Sequence, residues 1–314
     1  MLHGWIILDK PPGLGSTQAV GAVKRALREA GEPKTKVGHG GTLDPLATGV
    51  LPIAIGEATK LAGRMLDATK AYDFTIRFGE ETDTLDAEGE VAATSDVRAT
   101  LDEIDGVLSR FTGAIEQVPP AYSALKIGGR AAYSLARAGE TVEMTPRRVT
   151  VHSLRVSASP REQKDRTRRR GGAEELEELT LEATVSKGTY IRSLARDIAR
   201  ALGTVGHVSY LRRTRAGPFG LDSAISLDFL GEAAKARDLT RAVLPLEAAL
   251  DDIPALPVTP DQAQLLRHGQ RLAGFPARPG LQLATSEGIP VALVEAAADG
   301  LKVVRGFNFQ DVAE

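Results

Sequence analysis

Residues 38–52 read Gly-His-Gly-Gly-Thr-Leu-Asp-Pro-Leu-Ala-Thr-Gly-Val-Leu-Pro, and no other stretch limits the fold so strongly. Four glycines and two prolines in fifteen positions argue against a helix or a regular strand. Glycine tolerates strained backbone angles, and proline removes a hydrogen-bond donor. Yet the run is not polar. Leu43, Leu46, Val50 and Leu51 are expected to be buried, which makes this a loop pinned into the core with one carboxylate, Asp44, carried on it. Asp44 precedes a proline, so its backbone is biased toward an extended conformation and its side chain takes a fixed direction. A reacting group needs a held geometry of that kind. Taken alone, Asp-Pro is a common turn starter. The glycines alone would suit a phosphate-cradling loop, but both the Lys-Ser/Thr ending of a P-loop and the spacing of a dinucleotide fingerprint are missing.

The chain has 314 residues, 42% of them hydrophobic, enough for two domains with a real core. No apolar run reaches membrane-spanning length, and the N-terminus enters an apolar strand-like run without a signal peptide's charged start, so cytoplasmic residence is expected. Zero cysteines exclude disulfides, thiol nucleophiles, iron–sulfur clusters and cysteine-ligated zinc. The five histidines, at positions 3, 39, 152, 207 and 268, lack ligand spacing, and no metal site is expected. The net charge of −2 argues against a nucleic-acid binder until its distribution is considered. The part beyond residue 250 holds eight acidic and five basic side chains, leaving the first 250 residues at +1. Basic residues cluster at Arg147-Arg148, through 161–170, and at Arg212, Arg213 and Arg215. Local patches, rather than total charge, bind a phosphate backbone.

In chain order, Trp5-Ile6-Ile7-Leu8 reads as a buried strand stopped by Asp-Lys-Pro-Pro-Gly. Ser16 or Thr17 then caps a helix with Val20, Val23 and Leu27 on its apolar face, ending at Gly31. A second helix is expected over 58–66. Tyr72, Phe74, Ile76 and Phe78 alternate on one face of a strand headed by Tyr72, which offers a stacking face and a hydroxyl. Residues 80–90 form an acidic, turn-rich connection, and 97–111 an amphipathic helix with Leu101, Ile104, Leu108 and Phe111 inward. Between 119 and 146, Tyr122, Lys126, Arg130, Tyr133 and Arg137 interleave aromatics with positive charge, either as a solvated helix or as an RNA-gripping arm. After a strand over 149–156, the charged residues 161–172 suggest disorder or a long mobile turn, set within an insertion of about 160–178. A strand over 179–185 leads through Ser-Lys-Gly-Thr-Tyr-Ile-Arg into a helix with Ile191, Leu194, Ile198 and Leu202 on one face, stopping at Gly203. Residues 253–257 read as a linker. Short apolar runs around 281–284, 291–294 and 303–304 suggest a small β-barrel-like domain.

The string over 38–52 resembles the catalytic motif of the TruB family of tRNA pseudouridine synthases, whose aspartate attacks the target uridine; Asp44 holds that place. Further strings follow in family order. Residues 8–16 resemble the entry motif, with Gly15 where threonine is usual, and the Lys-x-Tyr start at 70–72 is where the family keeps its active-site tyrosine. Pro-Pro-Ala-Tyr-Ser-Ala-Leu-Lys, ending at Lys126, resembles the start of a thumb segment. Residues 186–192 resemble the motif whose arginine, here Arg192, pairs with the aspartate and whose tyrosine, here Tyr190, lines the base pocket; residues 206–213 resemble the segment that sets a leucine, here Leu211, near the base. The resemblance implies an α+β fold: a pseudouridine-synthase catalytic domain with a mixed, mainly antiparallel sheet and flanking helices over 1–250, and a PUA-like RNA-binding domain over 251–314. It implies Asp44, Tyr72 and Arg192 as catalytic, His39, Tyr190, Leu211 and Lys187 as substrate-binding, and Lys10, Lys126, Arg130 and Arg212 as contacts to RNA. The reaction would isomerise the T-loop uridine of tRNA without cofactor or metal. The partner would be the T-arm stem-loop, with no membrane and no obligate protein partner, and a monomer is expected because no extended apolar stripe is left over. A guanidinium beside a carboxylate lowers its pKa by roughly 1–3 units, opposing the effect of burial. His39 is the candidate to fill the space of an extruded base or to stack on it. Two rivals are a guide-RNA-dependent relative, which normally carries terminal extensions, and an RNA-binding protein without chemistry.

Overall fold

The structure, a computed structural model, describes residues 1–157, 167–170 and 173–309. One large sheet organises the chain up to residue 220. In space its strands run Gly4–Lys10, Thr48–Ile55, Gly206–Ala216, Lys70–Phe78, Glu178–Val185, Arg147–Val156 and Gly113–Gln117. Two short strands, Val37–His39 and Phe219–Gly220, pair with the second and third of these. Neighbours are antiparallel except where Arg212 and Arg213 run parallel to Thr48 and Gly49. The sheet is therefore mixed and mainly antiparallel, as expected.

Both faces of the first strand are buried, which explains its unbroken apolar run. Ile6 and Leu8 join a core with the helices Ser16–Glu29 and Ile191–Ala201; Trp5 and Ile7 join a second core on the opposite face. The first helix buries Val20, Val23 and Leu27, and the second Ile191, Leu194 and Ile198, in line with their sequence periodicity.

Several local expectations are corrected. Residues 48–52 belong to a strand after all. Gly49 takes φ +97°, and a Cβ there would lie 2.2 Å from the Arg213 carbonyl oxygen, so the glycine serves close strand approach rather than a loop. The first helix is capped by Gly15, with the Gln18 side chain accepting from the Gly15 N–H at 2.7 Å, and neither Ser16 nor Thr17 caps it. Residues 58–66 divide into a 3-10 turn, Gly56–Leu61, and a short helix, Ala62–Asp67. Leu101 is exposed because it is the first residue of helix Leu101–Leu108, directly after the Thr100 cap, and so lies off the inward face of Ile104 and Leu108. Thr167–Arg170 pairs antiparallel with Ala173–Leu176, so that part of the charged insertion is paired strand rather than a loop. Residues 161–166 and 171–172 of that expectation lie outside the described residues.

The C-terminal part is a five-stranded sheet, Ala255–Pro257, Gly280–Ser286, Ile289–Ala297, Gly300–Gly306 and Leu272–Ala273 in spatial order. Its first strand lies where a linker was expected. A helix, Pro260–Arg267, capped by Thr259 and Gln262, covers it and was not anticipated. Leu283, Leu293 and Phe307 pack onto Trp5, Ile7 and Val50, which docks this sheet against the face of the large one.

Candidate active site

The loop bearing Asp44 crosses from Gly40 to Ala47 with little regular backbone pairing: Gly40 N–H donates to the Pro52 carbonyl at 2.8 Å and Ala47 N–H to that of Asp44 at 3.1 Å. Side chains from elsewhere do the rest. Ser16 Oγ accepts from Leu43 N–H and donates to its carbonyl, both at 2.8 Å, so the expected cap residue holds this loop instead. Lys10 Nζ donates to the carbonyls of Pro11, Leu14 and Pro45 at 2.9, 2.7 and 3.2 Å. Lys10 is 0% exposed, which corrects its expected place on the RNA. Burial pulls its pKa down to about 8. Arg213 completes the grip: its Nε donates to the Val50 carbonyl at 2.7 Å, Nη1 to Thr42 at 3.1 Å and Nη2 to Gly41 at 3.3 Å.

Arg192 lies in the first turn of its helix, after Gly188 at φ +77° and the capping residue Tyr190, whose N–H and carbonyl are both bonded by the Gln117 side chain. Its guanidinium reaches the Asp44 carboxylate at 2.9 Å and the Asp86 carboxylate at 3.2 Å. It also donates to the carbonyls of Thr84 at 2.8 Å and Tyr122 at 2.9 Å. One buried arginine thus ties the Asp44 loop, the acidic connection and the segment of Tyr122 together. The pairing with Asp44 was expected; the one with Asp86 was not. Asp86 is almost wholly buried and accepts from Thr84 Oγ1 and the Glu88 N–H, although its neighbours read as an acidic, turn-rich connection.

Two cavities meet at this ion pair. The narrower, about 280 Å³, is lined by Asp44, Arg192, Tyr72, Tyr190, Leu211, Lys70 and Arg213, among others. The broader cleft, about 1030 Å³, shares Asp44 and Arg192 and is walled by His39, Tyr122, Tyr133 and Arg137. Asp44 keeps 35% of its side chain exposed, against 6% for Arg192. The acid therefore faces open space while its partner is fixed behind it. Burial raises the Tyr190 pKa. Burial, then the Arg213 charge, lowers that of His39, whose Nδ1 is enclosed without a partner among the described residues. Burial and then Asp86 raise the pKa of Glu88, on the cleft wall.

Lys187, expected to bind substrate, and three of the residues expected to contact RNA stand apart from the narrow pocket. Lys187 is exposed, with Nζ 2.9 Å from Asp67. Arg212 pairs with Asp9 at 2.8 Å, and Arg130 with Glu140 at 3.0 Å on the thumb, where Lys126 is exposed. Arg213, next to Arg212 on the strand, lines the pocket instead. Side chains two apart on a strand share a face, so Leu211 already pointed to 213 rather than 212.

The chain that brings an acid and an arginine together from positions 44 and 192, between a slot and a cleft, also matches two family models. Residues 25–191 match the TruB family pseudouridylate synthase N-terminal domain, and residues 192–251 match a tRNA pseudouridylate synthase B C-terminal domain. The chain belongs to the TruB family. A TruB relative from Novosphingobium aromaticivorans, named tRNA pseudouridine synthase B, is 60% identical over 314 residues, covering 100% of both chains. One of the same name from Zymomonas mobilis is 57% identical over 98% of this chain and 97% of its own. Among solved structures, a chain of an H/ACA ribonucleoprotein bound to a substrate RNA containing 2'-deoxyuridine superposes with a TM-score of 0.69 at 26% identity. That match covers 98% of this TruB chain and 86% of the other.

Proposed function

We propose that this chain isomerises uridine 55 in the T-loop of tRNA to pseudouridine, with Asp44 as the reacting carboxylate. It is an isomerase acting on RNA, as its family membership states. The observation that carries the residue assignment is the Asp44–Arg192 ion pair at the junction of the slot and the cleft. A uridine enclosed in a folded T-loop must be extruded to reach Asp44, at a cost of about a few kcal/mol. The broader cleft opens beside the slot, and the slot, smaller than a typical small-molecule pocket of roughly 300–1,000 Å³, suits one base. Tyr72 and Tyr190 offer it stacking faces and Leu211 an apolar edge, while His39 stands on the cleft side where an extruded base leaves space. Lys187, Lys126, Arg130 and Arg212 lie outside the slot and belong with the RNA backbone, through charges shared with protein partners or open to solvent.

The catalytic domain is taken as residues 1–250, with the thumb at about 119–146, and the RNA-binding PUA-like domain as 251–314. The enzyme acts as a cytoplasmic monomer on the T-arm without a protein partner. Among the described residues no helix is long and apolar enough to cross a membrane. Purified protein and a bare T-arm stem-loop test this reading: pseudouridine should form without any guide RNA. Product only on addition of a guide points to a guide-dependent enzyme, and binding without product to an RNA-binding protein.

A further inference from the structure

Two cations in the narrow slot have no place in the mechanism so far. Lys70 is 7% exposed and Arg213 1%. Both line the slot and neither lines the cleft, a distribution they share with Tyr72 and Leu211. Their partners are carbonyls. Lys70 Nζ donates to Leu66 at 2.6 Å and Ala68 at 2.7 Å, and Arg213 to Gly41, Thr42 and Val50. No carboxylate forms an ion pair with either among the described residues; the nearby Asp67 pairs with Lys187 and acts on Lys70 only at longer range. An ammonium has three donors and a guanidinium five, so both keep N–H groups to spare. Burying cations without an anion is costly. Burial, and then the charge of Arg213, draws the Lys70 pKa down to about 8, so each cation feels the other. Arg192 cannot serve a substrate in the same way, because two carboxylates already claim it.

We propose that Lys70 and Arg213 form a further catalytic pair, stabilising the negative charge that the uracil ring acquires during the reaction. The inference rests on the isomerase reading above. When the C1′–N1 bond breaks, its electron pair passes to N1 and spreads onto O2 and O4 of the ring. When C5 attacks C1′, a ring electron pair forms the new carbon–carbon bond, the C5 proton leaves, and N1 gains one. The balance needs no oxidant or reductant. Attack by Asp44 on the ring itself would load the same ring system with charge, so the pair serves either route. A phosphate is the less suitable ligand, because the cations sit in the slot with the base-contacting side chains and away from the cleft that would carry the backbone.

Lys70→Met and Lys70→Gln test this; the second keeps an uncharged donor toward Leu66 and Ala68, and folding of both is followed by circular dichroism. Removing one such group should cut single-turnover pseudouridine formation on the stem-loop about 100-fold. RNA affinity should stay within about threefold, since the charge exists only along the reaction path. Lys70→Arg should recover most of the rate. With 5-fluorouridine at the target, fluorine itself stabilises the ring anion, and the deficit of the Met and Gln variants in consuming it should narrow. A folded Met or Gln variant that keeps its rate, loses affinity as much as rate, or shows an equal deficit with both bases overturns the proposal. A wild-type protein inert on the uridine stem-loop would instead sink the functional reading on which it stands.

Discussion

Along Gly280–Ser286, Ile289–Ala297 and Gly300–Gly306 the backbone's polar groups pair with one another strand to strand, whereas from Gly40 to Ala47 they are met largely by side chains from distant parts of the chain. The C-terminal sheet carries its own small core around Leu266, Val291 and Leu301 and needs only a patch of the large sheet to dock on. The Asp44 loop has no such autonomy. Ser16, Lys10 and Arg213 hold its carbonyls, and Arg192 holds its carboxylate. Around the loop, therefore, stability and activity should fail together; in the C-terminal sheet they should fail separately.

Arg213→Ala puts the greatest load on that contrast. It takes the donor from three carbonyls in and beside the loop, each worth about 1–3 kcal/mol when left buried and unmet, so urea unfolding should show a loss of about 3 kcal/mol or more with product formation abolished. Leu301→Ala in the C-terminal sheet should cost about 2–5 kcal/mol through the cavity it leaves while the single-turnover rate stays near wild type. If Leu301→Ala slowed the reaction as severely, the two regions would not be separable. Ser16→Ala is milder: the Leu43 N–H and carbonyl lose their shared partner, about 2 kcal/mol or more between them, and the rate falls about tenfold because Asp44 is less well placed. Replacing Lys126 and Arg130 by alanine has the smallest effect. Filter binding should show the salt dependence of affinity for single-stranded loop RNA shallower by roughly 0.7 log unit for each phosphate no longer neutralised, and an unchanged slope would remove the paired strands Lys126–Ile127 and Arg130–Ala131 from the RNA interface.

Much of this is legible in the sequence, for physical reasons that differ from residue to residue. Strand alternation through Tyr72, Phe74, Ile76 and Phe78 and the helical face of Ile191, Leu194 and Ile198 follow from burial on one side, and both hold. The meeting of Asp44 with Arg192 comes from motif resemblance, because no local pattern links positions so far apart. Lys10 misleads, since a lysine among turn residues is normally solvated, and only the convergence of three carbonyls in space keeps it inside. Asp86 is hidden in the same way by its acidic neighbours. Arg213 has a readable signal in its two-residue spacing from Leu211, and Gly49 a misleading one, because a glycine needed for close strand approach looks like a glycine in a loop.

Asp44→Asn, assayed on the T-arm stem-loop by single-turnover kinetics and by filter binding, addresses the central claim most directly. The exchange removes the charge with almost no change in shape. The account predicts no detectable pseudouridine and RNA affinity within a few-fold of wild type. Turnover retained by the asparagine variant would contradict it and take Asp44 out of the chemistry.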